Sequence, residues 1–256
     1  MDTIKIAWMF PDTLYLHGDR GNILALERFA KLAGLESTVE KIDFNSSIFE
    51  PMNYDIIYCP SGEVSSFPQI IDWLAPYKEK LVEFIDAGKI LLTIGTTISV
   101  FTDKVVRTDG SEFNGLGILS VKTVEREEVY GDDNYFVCKV NGKEIEAIGN
   151  QIQMVDYVSE VELPFAQLKY GFGNTGRDTI EGFKKNNSIF TNTLGPLLVT
   201  NPMITKELIK IIATNKGIQL DDFVVDMDIE EKSFATKKDF ILNKVTRLTN
   251  CKIADK

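Results

Sequence analysis

Residues 89–101 read KILLTIGTTISVF, an apolar run that one glycine interrupts and small hydroxyl residues follow. The apolar part, 90–94, is short and continuous, which is typical of a parallel strand covered on both faces. Gly95 comes next, and glycine tolerates the backbone conformations that a sharp turn requires. The stretch therefore predicts a buried strand, a tight turn at Gly95 and a helix that begins within the hydroxyl residues.

On either side of this stretch, apolar segments alternate with amphipathic segments. We predict strands at 5–10, 36–42, 54–58 and 188–193, and helices at 21–32, 73–87 and 202–215. Such alternation is typical of an α/β fold with a doubly wound, mostly parallel sheet, in which ligands bind beyond the carboxyl ends of the strands. The loops after the first, third and fourth strands are therefore predicted to converge on one edge of the sheet.

The segment between these two halves follows a different pattern. Asn141-Gly142 lies between two apolar runs and is a strong signal for a tight β-hairpin, because both residues tolerate positive φ. We predict antiparallel strands here, as decoration of the main sheet. Residues 1–215 are predicted to form one domain and residues 216–256 a C-terminal extension, with an amphipathic helix near 239–248.

Composition narrows the classes of partner. The chain is 44% hydrophobic and 26% charged, as in ordinary globular proteins. A net charge of −10 disfavours nucleic acid and anionic membranes as partners, and no segment is apolar enough to span a bilayer. The first residues lack a basic region followed by a long apolar core, so we expect a cytoplasmic protein. Cys59, Cys138 and Cys251 lack the spacing of a metal site, and we predict neither a metal nor a cofactor.

Four motifs together resemble a known family: LYLHGDRGN at 14–22, the central stretch, GLGIL at 115–119 and GPLL at 195–198. In these motifs the chain is similar to class I glutamine amidotransferases of the cobyric acid synthase type. Among these it is similar to the amidotransferase subunit of lipid II isoglutaminyl synthase. The resemblance covers residues 4–213. It implies a flavodoxin-like amidotransferase fold and, as partner, an ATP-dependent synthetase subunit that resembles Mur ligases.

The same resemblance implies that the catalytic pair has been lost. In that family the central strand ends in a Cys-Gly-Gly turn that carries the nucleophile, and a later Leu-His-Gly-Pro carries its base. By position, Gly95 stands for the cysteine and Leu194 for the histidine. Amide hydrolysis of this kind needs a thiolate and a neighbouring base. We therefore predict a subunit without glutaminase activity, acting as a binding or scaffold partner in the amidation of a cell-wall precursor or a cobyric acid-type substrate.

Two other functions stay open at the level of sequence. One is an amide hydrolase with a displaced nucleophile, for which Cys59 and Thr96 are candidates; a histidine-dependent mechanism would have to use His17, the only histidine. Each of these also has an ordinary interpretation, as a buried thiol, a helix-capping hydroxyl and a polar loop residue. The other is a small-ligand-binding module of flavodoxin-like fold that has no amidotransferase function.

The GDRGN segment at 18–22 is the most specific of the motifs. Arg20 is a fixed cation that can hold a carboxylate or phosphate in two-point contact, and Asp19 can bind backbone N–H groups. We predict ligand contacts from Asp19, Arg20 and Asn22, and from Gly62, whose loop resembles the glycine-rich oxyanion strand of the family. The predicted ligand is glutamine or another small anion. The alternative is a structural turn that fixes the first helix.

Overall fold

The computed structural model describes residues 2–220, 223 and 226–254, and only the backbone of residues 245–254. Strands β1 to β12 are Thr3–Met9, Glu36–Ile42, Ile56–Cys59, Ile90–Ile94, Lys104–Val106, Glu112–Asn114, Lys122–Val140, Lys143–Val158, Ala166–Tyr170, Ile180–Glu181, Phe183–Lys185 and Ser188–Thr191. Helices α1 to α7 are Arg20–Leu32, Phe67–Leu74, Lys78–Asp86, Ile98–Phe101, Leu197–Thr200, Pro202–Asn215 and Asp228–Ala254. Part of the extension predicted at 216–256, and the side chain of Cys251, lie outside the described residues.

The first sheet has the strand order β11-β12-β4-β3-β1-β2. All of its neighbouring pairs are parallel except β11 with β12, which is antiparallel. Every residue of β3 and of β4 is buried, as expected for central parallel strands covered by helices on both faces. The predicted α/β fold with a mostly parallel sheet is confirmed, and the apolar run at 90–94 forms its β4.

Side chains of the first sheet alternate between two apolar layers. Ile56 and Leu92 point into the layer beneath α1 and α6. Ile57 and Leu91 point into the layer beneath α2 and α3. Helices therefore cover both faces of the sheet, which is the doubly wound arrangement that the sequence predicts.

The second sheet has the order β10-β9-β7-β5-β6, with β8 also paired to β7. Its strand pairs are antiparallel apart from β5 with β7. Asn141 and Gly142 connect β7 to β8 and have φ values of 51° and 75°, which confirms the predicted hairpin turn. The second sheet contributes side chains to both apolar layers of the first sheet. Phe136 packs in the layer beneath α1 and α6, and Tyr157 packs in the layer beneath α2 and α3.

Two predicted helices have different bounds in the structure. The helix predicted at 73–87 is instead two helices, α2 and α3, separated by a 3-10 turn at Ala75–Tyr77. Pro76 lacks the N–H that a continuous helix requires, whereas Pro68 suits the first turn of α2. The helix predicted near 239–248 is the middle of the longer α7. No helix in the described part of the chain is both long and apolar enough to cross a membrane.

The carboxyl ends of the parallel strands form the edge on which the candidate site is built. β1 lies between β2 and β3, so the order of the strands reverses between β1 and β3. Loops that leave two such strands diverge to opposite faces, and a crevice forms between them. Asp19, after β1, binds Ser61, after β3, and Ser61 in turn lies against Gly95, after β4. The predicted convergence of these three loops is confirmed.

Candidate functional site

The turn after β4 keeps an elbow shape without a side chain at its pivot. Gly95 has a φ of 63° and begins a 3-10 turn that leads directly into α4. The Tyr157 hydroxyl, from β8, lies 3.0 Å from the Gly95 carbonyl oxygen and 3.2 Å from that of Thr96. This buried hydroxyl therefore fixes the backbone of the elbow from the second sheet.

The space in front of Gly95 is filled by two neighbouring side chains. A Cβ atom placed on Gly95 would lie 2.6 Å from Ser61 Oγ and 2.8 Å from Leu194 Cδ2. Both distances are shorter than normal van der Waals contacts, so a side chain at the pivot would force these groups to move. Gly95, Ser61 and Leu194 thus interlock at the turn where the family resemblance implies a nucleophile.

Leu194 is held in this position by the backbone. It is buried and forms an isolated antiparallel bridge with Asn150, with an N–O distance of 2.7 Å from Leu194 N to Asn150 O. The preceding Thr193 accepts a hydrogen bond of 2.8 Å from Asn134 Nδ2. The structure therefore brings Gly95 and Leu194 together, although they are far apart in sequence and lie after different strands.

The loop after β3 is already engaged in hydrogen bonds within the chain. Ser61 N donates to Asp19 Oδ2 at 2.7 Å, and the Gly62 carbonyl accepts a hydrogen bond from Thr96 Oγ1. A Cβ atom on Gly62 would collide with Leu14 Cδ2, so a larger residue there would force the buried Leu14 side chain to move. The Ser61 N–H is thus not free to stabilise an oxyanion in this conformation.

Asp19 and Asn22 connect the motifs of the N-terminal half to the late GPLL motif. Asn22 Nδ2 donates to Tyr58 Oη at 2.8 Å, and Tyr58 Oη donates to the Asp19 carbonyl at 3.1 Å. On its other side Asn22 Oδ1 accepts a hydrogen bond of 2.8 Å from Leu198 N. The predicted ligand residues Asp19 and Asn22 therefore bind the chain itself, as the alternative of a structural turn requires.

The carboxyl group of Asp19 is almost completely buried. Burial raises its pKa to about 7, and the hydrogen bond from Ser61 N opposes this shift only in part. Its second oxygen, Oδ1, has no hydrogen-bond partner among the described residues. Asp19 is therefore a buried group that titrates within the physiological pH range, beside the loop after β3.

His17 lies in the loop before α1, and Arg20 is the first residue of that helix. Both are exposed, and His17 has a φ of 61°, which is uncommon for a residue other than glycine. In the part of the chain that the structure describes, Arg20 forms no ion pair, and the neighbouring Asp19 carboxylate is turned toward Ser61 instead. Of the predicted ligand residues, Arg20 thus presents an unpaired charge to solvent.

The two candidates for a displaced nucleophile have structural roles. Cys59 is buried in the layer of α2 and α3, on the opposite face of the sheet from Leu194, and burial raises the pKa of its thiol well above the ordinary value. Thr96 donates its hydroxyl proton to the Gly62 carbonyl. Neither Cys59 nor Thr96 is hydrogen-bonded to a side chain that could act as a base, so neither is activated as a nucleophile.

Sequence reasoning missed a buried glutamate beneath the Leu194 loop. Glu181 is fully buried, and its Oε1 accepts hydrogen bonds of 2.8 Å from Thr191 Oγ1 and 2.6 Å from Asn192 N. Burial raises its pKa to about 7. Asn192 also donates to Asn174, in the glycine-rich loop 170–176, at 3.3 Å. No local pattern reveals this burial, because Glu181 lies in a strand of two residues.

The contact of Tyr157 with the elbow was also not predicted, because the sequence around Tyr157 gives little indication of it. Tyr157 occupies an inward position in the alternation of β8, where an aromatic residue is ordinarily only part of the core. Its contact with the elbow depends on how the second sheet packs on the first. Within the described residues, no group of three or more histidine, cysteine, aspartate or glutamate side chains could hold a metal ion.

Comparison with known proteins gives two curated relatives. The sequence is 27% identical over 234 residues to the lipid II isoglutaminyl synthase (glutamine-hydrolyzing) subunit GatD of Staphylococcus aureus, covering 90% of this chain and 93% of the relative. It is 24% identical over 249 residues to the subunit of the same name from Streptococcus pneumoniae, covering 93% and 94%. No protein-family model matches the sequence.

The fold is similar to solved structures of low sequence identity. The glutaminase domain of Trypanosoma brucei CTPS, solved with bound acivicin, aligns with a TM-score of 0.50 and 11% identity. The alignment covers 85% of this chain and 96% of that domain. At this identity the likeness concerns the fold, and the chemistry has to be argued from the residues at the elbow.

Proposed function

We propose that this chain, which is class I glutamine amidotransferase-like in sequence and fold, is a subunit of a lipid II-amidating enzyme that does not itself hydrolyse glutamine. One observation carries the proposal. The side-chain position of the elbow residue Gly95 is occupied by Ser61 and Leu194. A nucleophile and its base are thus replaced by a packed contact between a glycine, a hydroxyl and an aliphatic side chain.

The names of the relatives support a role within a larger enzyme. Both are called subunits of a lipid II synthase, and the alignments span nearly the whole length of each relative. By this similarity we propose a synthetase as the partner, and by the family resemblance one that is Mur ligase-like and ATP-dependent. In this assignment the chain acts as a binding or scaffold subunit. We propose that it works in the cytoplasm, which the free, buried thiols of Cys59 and Cys138 support.

The first test is release of ammonia from glutamine. We expect no release by the purified chain, alone or with its candidate synthetase, because neither Gly95 nor Leu194 can supply a proton-transfer or nucleophilic group. The Staphylococcus aureus relative, assayed in parallel with its own partner, is the positive control. Steady release that Cys59→Ala or Thr96→Ala abolishes would refute the proposal and favour a displaced nucleophile.

Arg20 is the residue that we propose for contact with a partner or a small anion. It is exposed and forms no ion pair among the residues that the structure describes, and it precedes Gly21, which packs against Pro196. A guanidinium group can bind a carboxylate through two parallel hydrogen bonds, whereas lysine cannot. The other predicted ligand residues are already bonded or packed within the chain, so Arg20 alone is proposed for this role.

We expect Arg20→Lys to weaken binding of the candidate synthetase by about 10-fold, the value of one charge-assisted hydrogen bond. The measurement is a titration of the synthetase with each variant. Arg28→Lys is the matched control, because Arg28 lies on the same helix and pairs with Glu230 of this chain. Equal affinities for wild type and Arg20→Lys, with unchanged circular dichroism, would leave Arg20 with a structural role only.

A further inference from the structure

Helix α7 lies across the outer face of the second sheet, and its described side chains, those of residues 228–244, include few that are buried. Of its side chains that the structure describes, Ile241 alone is fully buried. Ile241 packs against Tyr135 of β7 and Ile148 of β8, and Phe234 and Tyr170 lie partly buried around them. One fully buried aliphatic side chain is a small apolar anchor for the described stretch 228–244.

Charged side chains in the described part of α7 make further contacts with the sheet. Three lysines of α7 pair with carboxylates of the sheet: Lys237 with Asp133 at 2.5 Å, Lys238 with Glu146 at 2.5 Å, and Lys244 with Asp132. Two of these ammonium groups also lie over aromatic rings of the sheet, Lys238 over Tyr135 at 5.1 Å and Lys244 over Tyr170 at 5.6 Å. The helix is thus basic where it faces the sheet, within a chain whose total net charge is −10.

The receiving face is organised by its own hydrogen bonds. Tyr135 donates its hydroxyl proton to Glu146, and Tyr170 donates to Asp132 at 2.6 Å. Tyr135 is paired with Ile148 of β8 on one side and with Tyr170 of β9 on the other, where the β7–β9 register shifts between Tyr135 and Phe136. The carboxylates and rings therefore keep their arrangement through contacts that do not involve α7.

We propose that this face of β7, β8 and β9 is a binding surface for a basic amphipathic helix, and that α7 is its detachable occupant within the chain. A helix that binds this face would carry cationic residues at the spacing of Lys237, Lys238 and Lys244, and an aliphatic residue at the position of Ile241. In an α-helix this spacing places all four side chains on the same side of the helix. The surface adjoins the candidate site, because Asp133 pairs with Asn150 and Asn150 bridges Leu194.

Hydrogen exchange on the full-length chain tests the detachment. In Ile241→Asp we expect the α7 amides to exchange about 10- to 100-fold faster, the equivalent of losing one buried isoleucine, while amides of β1, β3 and β4 keep their rates. Raising the salt concentration from about 0.01 M to about 1 M should accelerate α7 exchange in the wild type, because it shortens the Debye length from about 30 Å to about 3 Å. Ile229→Asp is the control, since Ile229 lies on the same helix and is 80% exposed.

Binding in trans tests the surface. A fluorescent peptide of residues 228–254 should bind full-length Ile241→Asp, more weakly as salt rises, and at least about 10-fold more weakly when Asp133→Asn and Glu146→Gln are added. Two results would overturn the proposal. One is α7 exchange in Ile241→Asp that stays unchanged, or that accelerates together with the first sheet, because α7 is then part of the core. The other is absence of peptide binding to Ile241→Asp.

Discussion

Gly95→Ala is expected to lower the free energy of unfolding by about 3 kcal/mol, the sum of an unfavourable left-handed backbone and an overpacked core. The φ of 63° is costly for any residue with a Cβ atom, and the new methyl group would lie 2.6 Å from Ser61 Oγ and 2.8 Å from Leu194 Cδ2. Both neighbours are buried, so neither can turn freely into solvent. Urea unfolding monitored by fluorescence measures the loss.

Gly34→Ala distinguishes the cost of the left-handed backbone from the cost of overpacking. Gly34 has a similar φ of 74°, but no atom lies within 4 Å of a Cβ placed there. This control should cost only about 1 kcal/mol, the backbone part alone. Combining Gly95→Ala with Ser61→Gly should recover part of the loss, because the nearest collision is removed. Equal costs at positions 34 and 95 would show that the space in front of Gly95 is open, and the packed-contact argument would fail.

The same interlock predicts what is needed to return chemistry to the elbow. We expect Gly95→Cys alone, or with Leu194→His, to react slowly with a glutamine-mimicking electrophile, because Ser61 still occupies the path of the new side chain. Adding Ser61→Gly should allow labelling at position 95, detected by mass spectrometry. Members of a nucleophile–base pair act as a unit, so labelling should be fastest when Gly95→Cys, Leu194→His and Ser61→Gly are combined. Labelling of the wild-type chain at any residue would contradict this expectation.

The second large effect concerns pH. The pKa values of Asp19 and Glu181 are raised to about 7 in the folded chain, from ordinary values of 3.8 and 4.5, by burial. Between about pH 5 and about pH 7 the folded state therefore holds two protons that the unfolded chain has released. The stability that these two groups contribute is fully present below about pH 4 and is lost as the pH rises through 7. Between about pH 5 and about pH 8 each group should remove about 3 kcal/mol of stability.

Glu181→Gln tests this dependence, because the amide keeps an acceptor for Thr191 and Asn192 but does not titrate. The free energy of unfolding of this variant should fall less between these pH values than that of the wild type. Glu36→Gln, on the exposed edge strand β2, makes the same chemical change at the surface and should follow the wild-type curve. Carboxylates with lowered pKa values, such as Glu207, contribute only at lower pH. A flat wild-type curve would show that the buried groups stay ionised.

Periodicity and turn chemistry in the sequence determined the framework of this protein. The continuous apolar run at 90–94 requires a strand covered on both faces, and Asn141-Gly142 requires a tight hairpin, because local backbone preferences decide both. The family resemblance pointed to Gly95 and Leu194 as a matched pair. Pro76 also indicates a break between two helices, because proline in a helix interior interrupts the hydrogen bonding. The single helix predicted at 73–87 did not take this proline into account.

Only the tertiary structure decided how the elbow is closed. Ser61, Gly95 and Leu194 belong to loops after three different strands, and whether their side chains fill one space depends on distances that no local pattern encodes. The same holds for Tyr157, which reaches the elbow from the second sheet, and for the burial of Asp19 and Glu181. Burial, pKa and steric fit are properties of neighbours brought together by packing, so they follow from the folded arrangement of the strands and are invisible along the chain.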